Sequence, residues 1–171
     1  MKKLSIFRHA KARRPEKYPQ DFDRPLTKRG HQDTRRMARL VARLSPPVDR
    51  IVSSPALRTR ETAEGLAAAL NVSHAITWDE RIYEASAETL LTVLGEVPGD
   101  AEHVVLVGHN PGMEALVSGL CAGDPARLNL KMPTAGLAHL ELEIFWWHQI
   151  RWGCGQLQLL AAPKQLSKLG D

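Results

Sequence analysis

Four residues in this chain combine reactive side chains with suggestive placement. They are Arg8 and His9 in "LSIFRHA", Arg58 in "SSPALRTRETAE" and His109 in "VGHNP". An arginine carries a permanent charge on a planar fork of N–H donors that matches the oxygens of a tetrahedral anion. A neutral imidazole nitrogen is a nucleophile near neutral pH, and its protonated form is a cation. Two of each, gathered in one place, would suit a phosphoryl group. His9 is the candidate nucleophile, attacking phosphorus in line, and its other ring nitrogen then needs an acceptor such as a backbone carbonyl to fix the tautomer. Arg8 and Arg58 would hold the oxygens, and His109, when protonated, would add a third positive donor against the charge of the transition state. A fifth candidate, Glu84 in "RIYEAS", is a carboxyl that could protonate a leaving group, or simply an exposed loop charge.

These residues lie far apart in the chain, so secondary structure has to bring them together. Leu4–Phe7 reads as a buried strand that runs out at Arg8 and His9. Residues 10–26 carry three prolines and many charges and read as a loop, which could form one wall of a pocket. Thr27 is a cap candidate for a helix to about Leu44, with Met37, Leu40, Val41 and Leu44 on its apolar face and Arg35, Arg36, Arg39 and Arg43 on a solvated one. Val48–Val52 reads as a second strand. Ser54 then reads as an N-cap and Pro55 as the first residue of a helix to about Leu70, in which Arg58–Glu61 and Arg60–Glu64 are neighbours. A short strand near Ala75–Thr77 and a helix near Ala87–Val97 follow. His103–Val107 is an apolar β-branched run, with Asn110 as the next cap and Pro111 as the next first helical residue. "LAHLELEI" and "GQLQLLAA" alternate as half-exposed strands do. Between them, "FWWHQIRWGCG" reads as cover for an end of the sheet by Trp146, Trp147 and Trp152, or as an aromatic surface for a partner.

Strands alternating with helices predict a three-layer α/β/α sandwich with a mostly parallel central sheet, with residues 1–171 as a single domain. In such sheets ligands bind at the carboxyl edge of the strands. Arg8, His9, Arg58 and His109 all fall on that edge, where helix N-termini add N–H donors and a positive dipole.

Composition narrows the class further. The chain has 171 residues, 43% hydrophobic and 25% charged, which is ordinary for a globular protein. No apolar run approaches a membrane span, and the stretch after Lys2 and Lys3 is too short for a secretory signal, so a cytoplasmic location is expected. Cys121 and Cys154 form no CxxC pair, which argues against a zinc site or a disulfide framework. No pair of the seven histidines has convincing metal-ligand spacing, and neither metal nor cofactor is expected. Residues 1–60 hold 17 Lys/Arg against 5 Asp/Glu, and the remainder hold 6 against 14. A basic half can serve nucleic acid or an anionic substrate. Low aromatic content and the absence of a reading motif argue against nucleic acid.

"FRHA", "SSPALRTRETAE" and "VGHNP", in that order, resemble the histidine phosphatase superfamily, also called phosphoglycerate-mutase-like. The short chain, "RPLTKRG", "IYEASAETLL" and "TAGLAHLEL" look most like its SixA-type phosphohistidine phosphatase branch, over nearly the whole length. The broader superfamily usually has glycine after its histidine, where this chain has Ala10.

The resemblance implies a metal-independent phosphatase working through a phosphohistidine enzyme intermediate. His9 would be the nucleophile and Arg8, Arg58 and His109 the cradle. Larger relatives supply an acid between the second and third motifs, the region that holds Glu84. With that acid so weakly marked, the expected substrate is a P–N bond, most simply phosphohistidine on a protein, such as a histidine-phosphotransfer domain. A phosphoimidazole can depart as neutral imidazole once protonated. Little chain is left for a lid, so the pocket is expected to be open. Two alternatives keep the scaffold: a phosphatase of small phosphate esters or anhydrides, and a phosphate-binding module without turnover. No membrane partner is expected, and the sequence leaves the oligomeric state open.

Overall fold

A computed structural model describes residues 1–170. Six strands form one sheet in the order β3-β2-β4-β1-β5-β6, comprising β1 (Lys2–Arg8), β2 (Arg50–Ser53), β3 (Ile76–Trp78), β4 (His103–Gly108), β5 (Leu137–Leu142) and β6 (Gly155–Ala161). β1 to β4 pair in parallel, and β5 runs antiparallel to both of its neighbours. The fold is therefore α/β with a mostly parallel sheet, and the start of β5 lies at the carboxyl edge of β1.

Helices cover both faces. α1 (Lys28–Val41) and α2 (Leu57–Leu70) pack on one side, where Met37, Val41, Ala63 and Leu66 meet Phe7, Val105 and Val107. α3 (Ala87–Gly95) and α4 (Gly112–Ala122) pack on the other, where Leu90, Leu94, Met113 and Leu116 meet Leu4, Ile6 and Leu106. β1 thus sends Leu4 and Ile6 one way and Phe7 the other, as the period of two requires. β4 is buried at all six positions, consistent with its unbroken apolar run in the middle of a covered sheet. A short α5 (Pro163–Leu169), which the periodicity did not predict, closes the chain against α1.

Several element ends differ from the expectations. Thr27 caps α1 as expected, accepting from the Gly30 N–H at 3.0 Å. α2 starts at Leu57 rather than Pro55, with Ala56 in the cap position at φ −56° and ψ 143°, outside the helical range. α4 starts at Gly112 with Pro111 in the cap position. Asn110 instead donates its side-chain amide to Glu114 and to the Met132 carbonyl, both at 2.9 Å. β5 is not half-exposed: His139 is buried, its ring bonded to Ser5. Trp147 is fully buried and donates to the Ala101 carbonyl at 2.8 Å, which places the tryptophan segment at the amino end of β4, away from the reactive residues.

Candidate active site

Backbone bonds from three directions fix the end of β1. The His9 N–H donates to Gly108 of β4 at 3.0 Å. The Arg8 N–H donates to Gly136, and the Ala135 N–H returns bonds to the carbonyls of Arg8 and His9 at 3.1 and 3.0 Å. Ala135 takes a left-handed φ of 58° to do so. Ala10 needs no such conformation: it is fully buried, and its N–H donates to Thr62 of α2 at 3.1 Å. Alanine is therefore adequate where the broader pattern has glycine.

The His9 ring lies with Nδ1 at 2.8 Å from the Ala10 carbonyl. A carbonyl can only accept, so Nδ1 carries the proton and Nε2 holds the lone pair. The His109 ring is 5.4 Å away, centroid to centroid, with its Nε2 at 2.9 Å from the Ser54 hydroxyl. The Arg8 guanidinium is held by the Met132 carbonyl at 2.9 Å, just before β5. Arg58, 5% exposed, reaches away from its own helix and donates to the Asp21 carbonyl oxygen at 2.8 Å and to its carboxylate at 2.9 Å.

The same carboxylate accepts from the Tyr83 hydroxyl at 2.8 Å and from Arg24 at 2.7 Å. Tyr83 also lies edge-on to His109, with 5.4 Å between centroids, and under the Arg58 guanidinium. The expected Arg58–Glu61 pair does not form. Glu61 turns to the Leu26 N–H at 2.6 Å, and Arg60 lies over the Trp78 ring instead of meeting Glu64.

Arg8, His9, Arg58 and His109 are thus gathered at the carboxyl edge of the sheet. Glu84 is not joined to them. It is exposed, sits at a left-handed φ of 51°, and bonds to no other residue among those described. Three residues that sequence reasoning missed belong to the cluster: Asp21, Tyr83 and Ser54. Asp21 lay in a loop with no periodicity, and the serine matched a helix cap. Only the expectation of residues 10–26 as a wall pointed toward Asp21.

Burial and neighbouring charge set the electrostatics. Desolvation brings the His9 pKa down to about 4, the Ala10 bond opposing and Arg58, Arg8 and Arg24 adding to the fall. His109 is brought to about 3, chiefly by burial, then by Arg58 and His9. Both rings are therefore neutral at pH 7, so the protonated His109 that would add a third positive charge is not the prevailing form. Burial pushes the Asp21 carboxyl up, but the hydrogen bonds from Arg24, Tyr83 and Arg58 together with the Arg58 charge prevail and hold it at about 2.

The described residues leave few buried side-chain atoms without a partner. They include Nε of Arg8, Nε of Arg58 and Nδ1 of His109. Buried donors normally find acceptors, and the Nε–H groups of Arg8 and Arg58 remain available to an anion bound at this edge. An α/β sheet whose carboxyl edge gathers such donors with two imidazoles defines a site suited to a phosphoryl group.

The chain belongs to the histidine phosphatase superfamily, branch 1, whose family model matches residues 4–90. Its fold is similar to that of SixA from Nakamurella multipartitia, named as a candidate phosphohistidine phosphatase (28% identity, 95% of this chain and 96% of that one, TM-score 0.77). SixA from Agrobacterium tumefaciens, named likewise, is similar at 30% identity over 95% and 98% of the two chains, with a TM-score of 0.74. An uncharacterised protein of Picosynechococcus sp. is 33% identical over 87% of this chain and 97% of its own. The chain is thus a phosphatase of the SixA type.

Proposed function

We propose that this phosphatase works through a phosphohistidine intermediate on His9, without a metal, and that its substrate is phosphohistidine carried by a protein. The observation that supports the reading most is that one sheet edge gathers His9, whose Nε2 holds the lone pair, with Arg8, Arg58 and His109, whose Nε, Nε and Nδ1 atoms have no protein partner. Nε2 attacks phosphorus, the bond from phosphorus to the substrate nitrogen breaks, and the departing imidazole leaves neutral after taking up a proton. Water then attacks the phosphorylated His9, the second P–N bond breaks, and phosphate is released. Arg8, Arg58 and His109 meet the charge on the oxygens in both steps. His109 serves this role neutral if the Ser54 hydroxyl donates to Nε2, which leaves an Nδ1–H for the anion.

The acid inventory supports the substrate class. Glu84 is exposed and bonded to nothing in the cluster, and Asp21 is ionised down to about pH 2. Neither is set to protonate an alkoxide, whereas an imidazole leaving group has little need of such help.

A phosphate-release panel with phosphohistidine peptide, a sugar phosphate and an aryl phosphate, with and without chelator, tests this. Release from phosphohistidine should be fastest and indifferent to chelator, and His9→Ala should lower it by at least about a thousandfold. Acid-labile label should appear on His9 of the wild type after a rapid quench. Faster turnover of the sugar phosphate would assign the scaffold to small esters. Phosphate binding without label on His9 would make it a binding module.

A further inference from the structure

Away from the reactive cluster, α1 and α5 enclose a groove of about 520 Å³ lined by Arg29, Arg35, Arg39 and Lys164 among others. It continues into a second hollow that shares Arg29 and Lys164 and adds Lys11, Pro133 and Thr134. A third hollow shares Pro133 and Lys164 and adds Lys131 and Lys168. Arg29, Arg35, Arg39, Lys164, Lys11 and Lys131 are all exposed. The lining includes one acidic side chain among the described residues, the buried Asp33, which is shared by Arg29 at 3.6 Å and Arg36 at 3.9 Å. The track ends beside the nucleophile: Lys11 is two residues past His9, and Thr134 precedes the Ala135 whose N–H holds the His9 carbonyl.

We propose that this track docks an acidic segment of the phosphorylated protein, so that charge outside the site selects the substrate. The inference rests on the phosphohistidine-protein reading above. Like-signed side chains held side by side repel one another, and an acidic strand laid along them relieves that repulsion. No aromatic side chain lines the track, so nucleic-acid bases would find nothing to stack on. From Gly30, which abuts Lys11, to Arg39 the helix rises about 14 Å, a span covered by four or five extended residues at about 3.3 Å each. An acidic segment of about five residues, following closely on the phosphohistidine, would therefore cover this stretch.

Two phosphohistidine peptides test the proposal, one flanked closely on both sides by runs of about five glutamates and one by glutamines. The wild type should show a KM about tenfold lower for the acidic peptide, an advantage that shrinks in high salt. The Arg35→Glu, Arg39→Glu, Lys164→Glu variant should lose the advantage while keeping wild-type turnover of an aryl phosphate, which also shows that it is folded. Anisotropy of the labelled glutamate peptide reads docking even if neither peptide is hydrolysed, so a failure of the substrate reading is seen separately. Equal KM and equal binding for the two peptides would overturn the proposal. Tighter binding of a labelled RNA oligonucleotide than of the glutamate peptide, lost in the same variant, would overturn it in favour of nucleic acid.

Discussion

At the scale of single residues, the site is arranged around a neutral nucleophile. Desolvation and three nearby guanidinium groups hold the His9 proton equilibrium near pH 4, so Nε2 keeps its lone pair well into the acid range. After correction for the substrate's own ionisation, kcat/KM should retain its activity down to about pH 4, with no limb near the ordinary histidine value of 6.5; stopped assays between pH 3.5 and 8 would show it. Asp21 acts on the reaction through Arg58. It grips both terminal nitrogens of that guanidinium, which fixes the arginine and leaves its Nε without a protein partner. Asp21→Ala should cost about 10- to 100-fold in kcat/KM, because a loosened arginine no longer meets the anion in place. Asp21→Asn, which keeps an oxygen acceptor, should recover part of that loss. Tyr83→Phe removes one of the bonds on Asp21 and should fall between Asn and wild type. A merely structural role for Asp21 would lower the melting temperature without this graded order in kcat/KM.

At the scale of elements, close backbone approaches fix how helices deliver the site. A Cβ on Gly112, in the first turn of α4, would fall 2.4 Å from the Ala85 carbonyl oxygen. Gly112→Ala should therefore push α4 away from the segment carrying Tyr83, at a cost of about 1–3 kcal/mol in urea melts and with a visible rise in KM. Gly30 plays the corresponding part for α1, where an added Cβ would meet the Lys11 carbonyl oxygen at 2.3 Å.

The regular elements and the edge they share were legible because apolar runs such as His103–Val107 have one sensible reading in a covered sheet. The contacts that complete the site were not. The bond from Arg58 to Asp21 crosses 37 positions of chain, and its partner sits in a loop without pattern. The local Arg58–Glu61 pairing was plausible and lost to it. Ser54 looked like a helix cap because serine before proline normally is one, yet its hydroxyl faces His109. The polar face of β5 looked solvated because alternation cannot show that His139, Ser5 and His103 satisfy one another inside, at 2.9 and 2.8 Å.

At the scale of the whole molecule, buried neutral imidazoles make stability depend on acidity. His9 and His139 are held near 4 and His109 near 3, in each case first by burial. In the unfolded chain each would take a proton near 6.5. The unfolded state therefore binds more protons as pH falls below 6.5, and stability drops from there toward pH 4 while staying level above it. Asp21 extends the loss below that, since its folded value of about 2 lies under its unfolded one. Urea midpoints at pH 7.5 and pH 5 should differ by an amount on the order of a few kcal/mol in unfolding free energy, with the lower value in acid.

The carbonyl that steadies Arg8 belongs to Met132, and the amide that pins His9 belongs to Ala135. A chain emerging from the ribosome would thus carry all four reactive side chains well before it could catalyse anything. Competence would arrive abruptly, when the last third of the polypeptide returns to lie beside the first strand.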